Sequence, residues 1–484
     1  LMFSKPFCNL LFHLKPKTLL LMRKILFIFI FLYCNVLAQE KEIVYSLQKD
    51  EQIAVYENAL GVYQSRLGFA FVIDNTAKNT RKYCVNKVLY ENFTRKSIEQ
   101  PRLTNEHWGI VDTRKDSNIV IFDGYRVAKY PKTKRTFDLR ITKRLYGYVI
   151  YDEPSAEYNV IVNGFVYGPY TNLLNYYLSP DGTNWAVSYY ENAGSHYNYF
   201  IKFNNQRILG PYKNIYDFAL LNNNQWVLVA EASNNNNKIY LANQKGDIGF
   251  FDKELQGKPV EIKLLYTNQN YAMNVVKDQK IYFMVNGEVF GPYEEFVKQT
   301  DLGIKPDRFN YVVGKKNTLY YRDKPILDNV RKFTVSDSRN TIAIVLYNDQ
   351  LILNGKINLG TFKNIEKIDF PDGKEDFYFW TKEKENETEY ALYAYVNNQV
   401  NKLGTYKMTL QENQLPNVRF APSEKNWGFS YINEKQEAKI VVDGKEYDTN
   451  FINEVSLYAQ DGKEYAAWLS VEGQNIILNK IVFE

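Results

Sequence analysis

Short runs of alternating apolar and polar residues follow one another along almost the whole chain, each bounded by turn-forming residues. The clearest series begins at Asn175. Tyr176-Tyr177-Leu178-Ser179 is followed by Pro180-Asp181-Gly182 and then Trp185-Ala186-Val187-Ser188-Tyr189. Next come Tyr199-Phe200-Ile201-Lys202-Phe203, a turn at Asn204-Asn205, and Arg207-Ile208-Leu209-Gly210-Pro211-Tyr212. Runs of this length, rich in aromatic and β-branched residues, predict four short strands. No stretch carries a convincing helical period. Eight Asp-Gly or Asn-Gly dipeptides start at Asp123, Asn163, Asp181, Asn286, Asn354, Asp372, Asp443 and Asp461. Such pairs suit two-residue hairpin turns, whose central residues need positive φ. Gly164 to Gly182, Gly355 to Gly373 and Gly444 to Gly462 are each 18 residues apart, which marks a repeat.

Two further markers keep the same period. Gly168-Pro169-Tyr170, Gly210-Pro211-Tyr212 and Gly291-Pro292-Tyr293 follow hairpin turns, with weaker copies at Gly360-Thr361-Phe362 and Gly404-Thr405-Tyr406. Proline cannot donate to a ladder, so this element belongs on the outer strand of each unit. The six tryptophans, Trp108, Trp185, Trp226, Trp380, Trp427 and Trp468, all fall in the second strand. Aligning that strand gives the column Gly68, Gly109, Gly147, Ala186, Val227, Ala272, Tyr311, Ala343, Tyr378, Gly428 and Ala467. These eleven positions have a mean spacing near 40, with long intervals of 45 before Ala272 and 50 before Gly428 and a short one of 32 before Ala343. Four strands in about 40 residues is the size of one β-propeller blade. The predicted fold is all-β, a propeller built from four-stranded repeats.

Leu178-Ser179-Pro180-Asp181-Gly182 resembles the blade turn of the WD40-like propellers of the TolB and dipeptidyl-peptidase type. Phe370-Pro371-Asp372-Gly373 is a shortened copy and Phe420-Ala421-Pro422-Ser423 a drifted one. The resemblance implies the fold and leaves function open. The Gly-Pro-Tyr element and the blade number depart from TolB. Eleven blades exceed the usual four to eight of one ring, so two rings are expected, residues 39–252 and 253–484, split near Asp252 to Lys258, the alternative being one ring plus stray blades or an open array. Glu42–Leu47 and Ile476–Phe483 both read as strands, and one or both are expected to complete a blade from the opposite terminus.

The start of the chain is different in kind. Met22-Arg23-Lys24 opens a basic stretch, Ile25 to Leu37 is apolar, and Val36-Leu37-Ala38 ends in small or modest residues. That is the three-part pattern of a secretory signal over residues 22–38, with cleavage after Ala38. Residues 1–21 read as translated sequence upstream of Met22. A lipoprotein would use Cys34, but Tyr33 is bulky for that cleavage site. The mature chain is expected to be exported from a bacterium to the periplasm or beyond, with outer-membrane association open. It has no later run apolar enough to span a membrane. Lys plus Arg is 60 against 55 acids, and the five excess charges lie in the first 38 residues. The balanced remainder argues against a nucleic-acid partner. Cys84 stands alone beyond the leader, so the mature chain has no intrachain disulfide.

Little in the sequence suggests catalysis. Neither His107 nor His196 sits near another ligand-type cluster, and no Gly-x-Ser-x-Gly elbow, zinc spacing or nucleotide fingerprint appears. No metal or cofactor is predicted. Asp181, Asp372 and Asp461 read as turn formers, and the recurring Tyr170, Tyr212 and Tyr293 as packing residues. Asn234 to Asn237 reads as a loop, and the sequons at Asn92 and Asn386 as ordinary surface. The predicted function is a non-enzymatic exported scaffold that binds protein, or a cell-envelope polymer. The alternatives are a propeller glycosidase or polysaccharide lyase using funnel carboxylates, and a polysaccharide-binding module. Unpaired acids converging from different blades would favour the enzyme.

Overall fold

A computed structural model describes residues 39–56, 59–60, 62–65, 68–94, 102–103, 107–232, 238–303, 308–371, 373–383, 388–410, 414–423, 425–450 and 455–483. The predicted leader, with residues 1–21 and Cys34, lies outside them, as do Asn234 to Asn237, Asp372, Asn386 and the side chain of Asn92.

Every element among the described residues is a strand, and no helix there is long and apolar enough to cross a membrane. Repeat 3 shows the plan: Lys134–Ile141, Tyr146–Asp152, Glu157–Val162 and Phe165–Tyr170 pair antiparallel in chain order. Repeats 1 and 2 (51–94 and 102–131) precede it. Repeats 4 and 5 are fused through the long strand Arg207–Leu220, the outer strand of one and the inner strand of the next. Repeats 6, 7 and 8 occupy 265–293, 299–327 and 330–361, and repeats 9 and 10 are joined where Gln399–Thr409 pairs with Trp427–Asn433. Repeat 11 takes three strands from 456–483, and its outer strand is Gln39–Ser46, paired antiparallel with Asn475–Phe483. The first described strand therefore completes the last sheet, as one of the expected terminal closures requires. Four-stranded antiparallel sheets packed in series make this a β-propeller.

The Asx-Gly turns hold the register. Trp108 N–H donates to Asp123 Oδ1, and Asp123 N–H donates back to Trp108 O, both at 2.9 Å. The same bracket joins Phe69 to Asn86, Tyr146 to Asn163, Trp185 to Asn204, Tyr271 to Asn286, Ile342 to Asn354 and Trp427 to Asp443. It places an aromatic or branched residue at the start of the second strand, one position before the sequence column. The column is in register at Gly109, Gly147, Ala186, Val227, Ala272, Ala343 and Gly428. In repeat 1 the bracket moves it from Gly68 to Ala70, and in repeat 7 the bond from Arg322 N–H to Phe309 O moves it from Tyr311 to Asn310. All six tryptophans lie in second strands.

The Gly-Pro-Tyr segments are on outer strands, and each makes a β-bulge. Tyr158 pairs with Tyr170 and Val160 with Tyr167, so Gly168-Pro169 faces one residue, Asn159. Repeats 4, 6, 8 and 9 shift at Gly210, Gly291, Gly360 and Gly404. A bulge twists an edge strand and spoils it as a template for another chain.

The core is divided among clusters shared by consecutive sheets. Val229 and Leu241 of repeat 5 pack with Met273 and Met284 of repeat 6, with Phe251 and Leu264 between them. Phe71 and Ile73 of repeat 1 pack with Leu469 and Leu478 of repeat 11. Phe251, next to the position where the sequence predicts a division between rings, lies within the cluster shared by repeats 5 and 6. Lys253 there pairs with Glu231 at 2.8 Å.

Because the strands alternate in direction, the first-to-second and third-to-fourth turns gather at one end of the sheets. The second-to-third hairpins and the links between repeats gather at the other. The tight Asx-Gly turns occupy the first end. The described extra residues of both long intervals fall at the second: 253–264, which carries a small hairpin of Glu254–Leu255 with Lys258–Pro259, and 414–418 in the link before repeat 10.

Candidate functional site

Asp181, one of the acids singled out in the sequence, is taken up by its own turn and the next one. Asp181 Oδ1 accepts Ser179 Oγ at 2.6 Å and Thr183 N–H at 3.1 Å, while Oδ2 accepts Asn223 N–H of repeat 5 at 2.8 Å. Burial alone raises its pKa, but these hydrogen bonds outweigh burial and hold the carboxyl down to about 2. Asp461, at φ 51, and Gly462, at φ 75, form a turn. Ser336-Asp337-Ser338 is a copy of the Ser-Pro-Asp turn that the sequence hides. Thr341 N–H donates to Ser336 Oγ at 3.2 Å, and Gly373 N–H of repeat 9 donates to Asp337 Oδ2 at 2.7 Å. Across the next boundaries, Lys374 Nζ donates to Pro422 O at 3.1 Å and Ser423 Oγ to Glu464 Oε2 at 2.6 Å. These bonds tie neighbouring turns together.

His107 Nδ1 lies 2.7 Å from Asp123 Oδ2, with its ring against Phe122, and His196 is exposed on a hairpin. No group of three or more His, Cys, Asp or Glu placed to hold a metal occurs among the described residues. The Gly-Pro-Tyr aromatics belong to the core. Tyr170 packs 5.1 Å from Tyr189, and Tyr406 lies 5.0 Å from Phe429 and 6.0 Å from Trp380. Tyr212, Tyr293 and Phe362 are half-buried in the corresponding clusters. Burial pushes the Tyr170, Tyr212 and Tyr406 hydroxyls up to about 12.

Inner strands are sheet edges, and their unpaired carbonyls need donors. Several repeats supply one from the strand before. Arg140 Nη1 donates to Tyr176 O, Lys332 Nζ to Glu366 O, and Gln299 Nε2 to Phe333 O at 3.0 Å. Lys367 Nζ extends the pattern to the link before repeat 10, donating to Leu415 O at 3.1 Å and Pro416 O at 3.4 Å. Trp380 Nε1 also donates to Pro416 O, at 3.2 Å.

That link interrupts an inner strand. In repeat 4 the inner strand pairs residue by residue from Asn175 to Leu178. In repeat 10 the second strand, Trp427–Asn433, pairs on its inner side with Met408-Thr409 at one end and Arg419-Phe420 at the other. Among the described residues, these two segments pair with Asn433, Ile432, Gly428 and Trp427. Trp427 is bonded to the third-strand side through Asp443, so by alternation Phe429 and Tyr431 also face that side. Ser430 therefore directs its backbone N–H and C=O towards the inner side. A cavity of about 620 Å³ lies there, with Met408, Phe429 and Val455 on its apolar wall and Gln414, Asn417 and Ser430 among its polar lining. Repeat 6 also has an inner strand of two residues, Leu265–Tyr266, with Leu264 and Ile262 packed into the core beside it, as Val418, Leu410 and Leu415 are in repeat 10.

The sequence signal for this cavity is the 50-residue interval before Gly428; none of its lining residues stands out by type. A recess of about 820 Å³ at the tight-turn end is lined by residues such as Asn222, Asn268, Thr300 and Arg339.

No family model matches the chain, and no curated protein matches it. Similar solved structures are propellers or contain them. The tricorn protease is 10% identical with a TM-score of 0.27, over 86% of this chain and 55% of that one. The β-propeller domain of Swd1 from Myceliophteria thermophila is 10% identical with a TM-score of 0.27, over 55% of this chain and 98% of that one. The propeller domain of the trilobed protease from Pyrococcus furiosus is 14% identical with a TM-score of 0.26, over 66% of this chain and all of that one. The chain spans about half the length of the tricorn protease.

Proposed function

We propose that this chain is an exported β-propeller, its repeats closed into one ring, that binds a protein partner without catalysing a reaction. The binding face is the end that carries the inter-repeat links. The observation behind this reading is the cavity beside Ser430, opened by an insertion in an otherwise regular array. Repeat proteins accommodate insertions as loops on one face, often the binding face. Turn acids occupied by their own backbone N–H groups and by neighbouring hydroxyls support a binding role over funnel carboxylates acting as acid and base. The leader at 22–38 supports export, and a partner at the bacterial envelope follows from that destination.

Affinity purification from the native envelope fraction tests this directly, with the unmodified chain beside two variants. Gln414→Arg with Asn417→Arg alters the link end, and Asn268→Arg alters the tight-turn end. The expected result is a partner lost only with the link-end variant. Loss only with Asn268→Arg would move the site to the other face, and hydrolysis of an envelope polysaccharide by the pure chain would replace the scaffold with an enzyme. Export predicts recovery outside the cytoplasm with Gln39 at the N-terminus. An acylated Cys34 there would make the chain a lipoprotein instead.

A further inference from the structure

We infer that the outer strand of repeat 10, Lys445–Thr449, pairs with an extended segment of a partner protein that carries Lys or Arg at alternate positions. The site lies on the rim of the array and does not depend on the cavity beside Ser430. Ten of the eleven outer strands carry a register shift against their third strands. Repeat 10 is the exception. Its outer strand pairs one to one with Ala438–Val442, from Thr449 opposite Ala438 to Lys445 opposite Val442. Shifted edges are twisted away from pairing, whereas a regular edge keeps its backbone groups in line for an added strand.

The register shows which groups are offered. Asp443, at φ 48, and Gly444, at φ 79, form a two-residue turn, so Val442 and Lys445 make the closing hydrogen-bonded pair. By alternation Tyr447 and Thr449 also bond inward, and Glu446 and Asp448 direct their N–H and C=O outward. Neither has a backbone partner there among the described residues. Both side chains are acidic and both residues are exposed. Tyr431 Oη donates to Glu446 Oε1 at 2.6 Å, and Lys439 Nζ lies 2.6 Å from Asp448 Oδ1 and 3.2 Å from Glu437 Oε2. One lysine thus serves two acids, and Glu446 has no basic partner among the described residues.

These acids select the occupant. If the edge paired antiparallel with a second copy of itself, outward-facing residues would meet outward-facing residues. Glu446 and Asp448 would then face acids of the other copy, and like charges directly opposite are destabilising. Charge protects this edge against its own kind and leaves it open to a basic strand. Directly opposed residues share a face, so the two basic residues lie with Glu446 and Asp448. The residue between them lies with Tyr447, whose ring packs 5.1 Å from Trp468. The expected motif is basic, apolar, basic.

The probes are two end-blocked peptides, Thr-Val-Arg-Ile-Arg-Val-Thr and its copy with Glu in place of both Arg, titrated against the full chain. The basic peptide should slow amide exchange at Glu446 and Asp448 roughly tenfold or more, and leave Tyr447, already bonded to Ile440, unchanged. Exchange on the unmodified chain needs no variant to fold. The acidic copy should bind roughly tenfold more weakly, and Glu446→Lys with Asp448→Lys should reverse that preference. Asp448→Pro removes an outward N–H without taking a bond from the ladder, so it should abolish protection at Glu446. No protection at Glu446 and Asp448 by millimolar basic peptide, protection of another region instead, or equal binding of the two peptides would overturn the inference. A dimer of the unmodified chain with both amides protected in the absence of peptide would assign the edge to a second copy and overturn it equally.

Discussion

A Cβ on Gly210 would lie 2.6 Å from Tyr199 O, and its φ of 123° is one that side chains rarely adopt. Clash and backbone strain act together there, so Gly210→Ala should cost about 1–3 kcal/mol in urea unfolding. The aromatic residues that follow such glycines should differ among themselves. Tyr170 and Tyr406 are buried, and truncation to Ala should cost about 3 kcal/mol each. Tyr212, Tyr293 and Phe362 are half-buried and should cost less. A uniform loss across all five would contradict this grading. Asp181 makes a pH prediction. Its carboxyl is held down to about 2 in the folded chain, against about 3.9 when unfolded. A depressed folded pKa means that the ionised group stabilises fully above the unfolded value, and the contribution is lost as pH falls through about 2. The difference in melting temperature between the native chain and Asp181→Ala should therefore be constant from pH 7 to 5 and shrink below pH 4. A difference that persisted undiminished at pH 2 would assign the loss to shape alone.

At the scale of the strand and its links, the two edges of each sheet are managed differently. Outer strands, except that of repeat 10, carry bulges that twist them away from pairing, whereas inner strands accept donors sent across from the preceding repeat. Lys367 is the donor whose loss should be most visible. Lys367→Met keeps much of the stem's packing but removes the bonds to Leu415 O and Pro416 O. The expected loss is about 1–2 kcal/mol, with faster amide exchange confined to 414–418; exchange unchanged there would show that Trp380 alone anchors the link. Much at this scale was legible in the sequence. Asx-Gly pairs mark hairpins because positive φ is required, and Trp108, Trp185 and Trp427 mark second strands because the first residue there is buried and bracketed by the turn. The register of repeat 1 was misread because Gly68 looks like Gly109, while the bracket from Asn86 to Phe69 is a through-space bond. The Ser336 turn was missed because its acid sits one residue earlier than in Ser179-Pro180-Asp181, although both carboxylates catch a backbone N–H of the next repeat. The interrupted inner strand was legible only as extra length. Which residues flank a gap depends on pairing between segments that the sequence does not rank.

On the scale of the whole molecule, the question is whether the repeats form one closed ring or two. Spacing alone cannot distinguish them, because a boundary between rings and a long link look the same in sequence. Two rings require repeat 5 to turn back onto repeat 1, and repeat 6 onto repeat 11. One ring requires repeat 5 to meet repeat 6 and repeat 11 to meet repeat 1, and the described clusters include both of those contacts. Gln39–Ser46 adds a strand to that last junction through Asn475–Phe483. Limited proteolysis after the exposed Glu254, in the small hairpin, tests the single ring. Under it, the nicked halves 39–254 and 255–484 should stay together on size exclusion, because each presents an apolar sheet face to the other at two junctions. They should part only when the chain unfolds, in one transition shared by both halves. Removing residues 39–46 should lower that transition for the entire chain, since the edge of Asn475–Phe483 at the closing sheet would then be bare. Two fragments that elute separately, or two melting transitions of which the truncation lowers only one, would establish two rings.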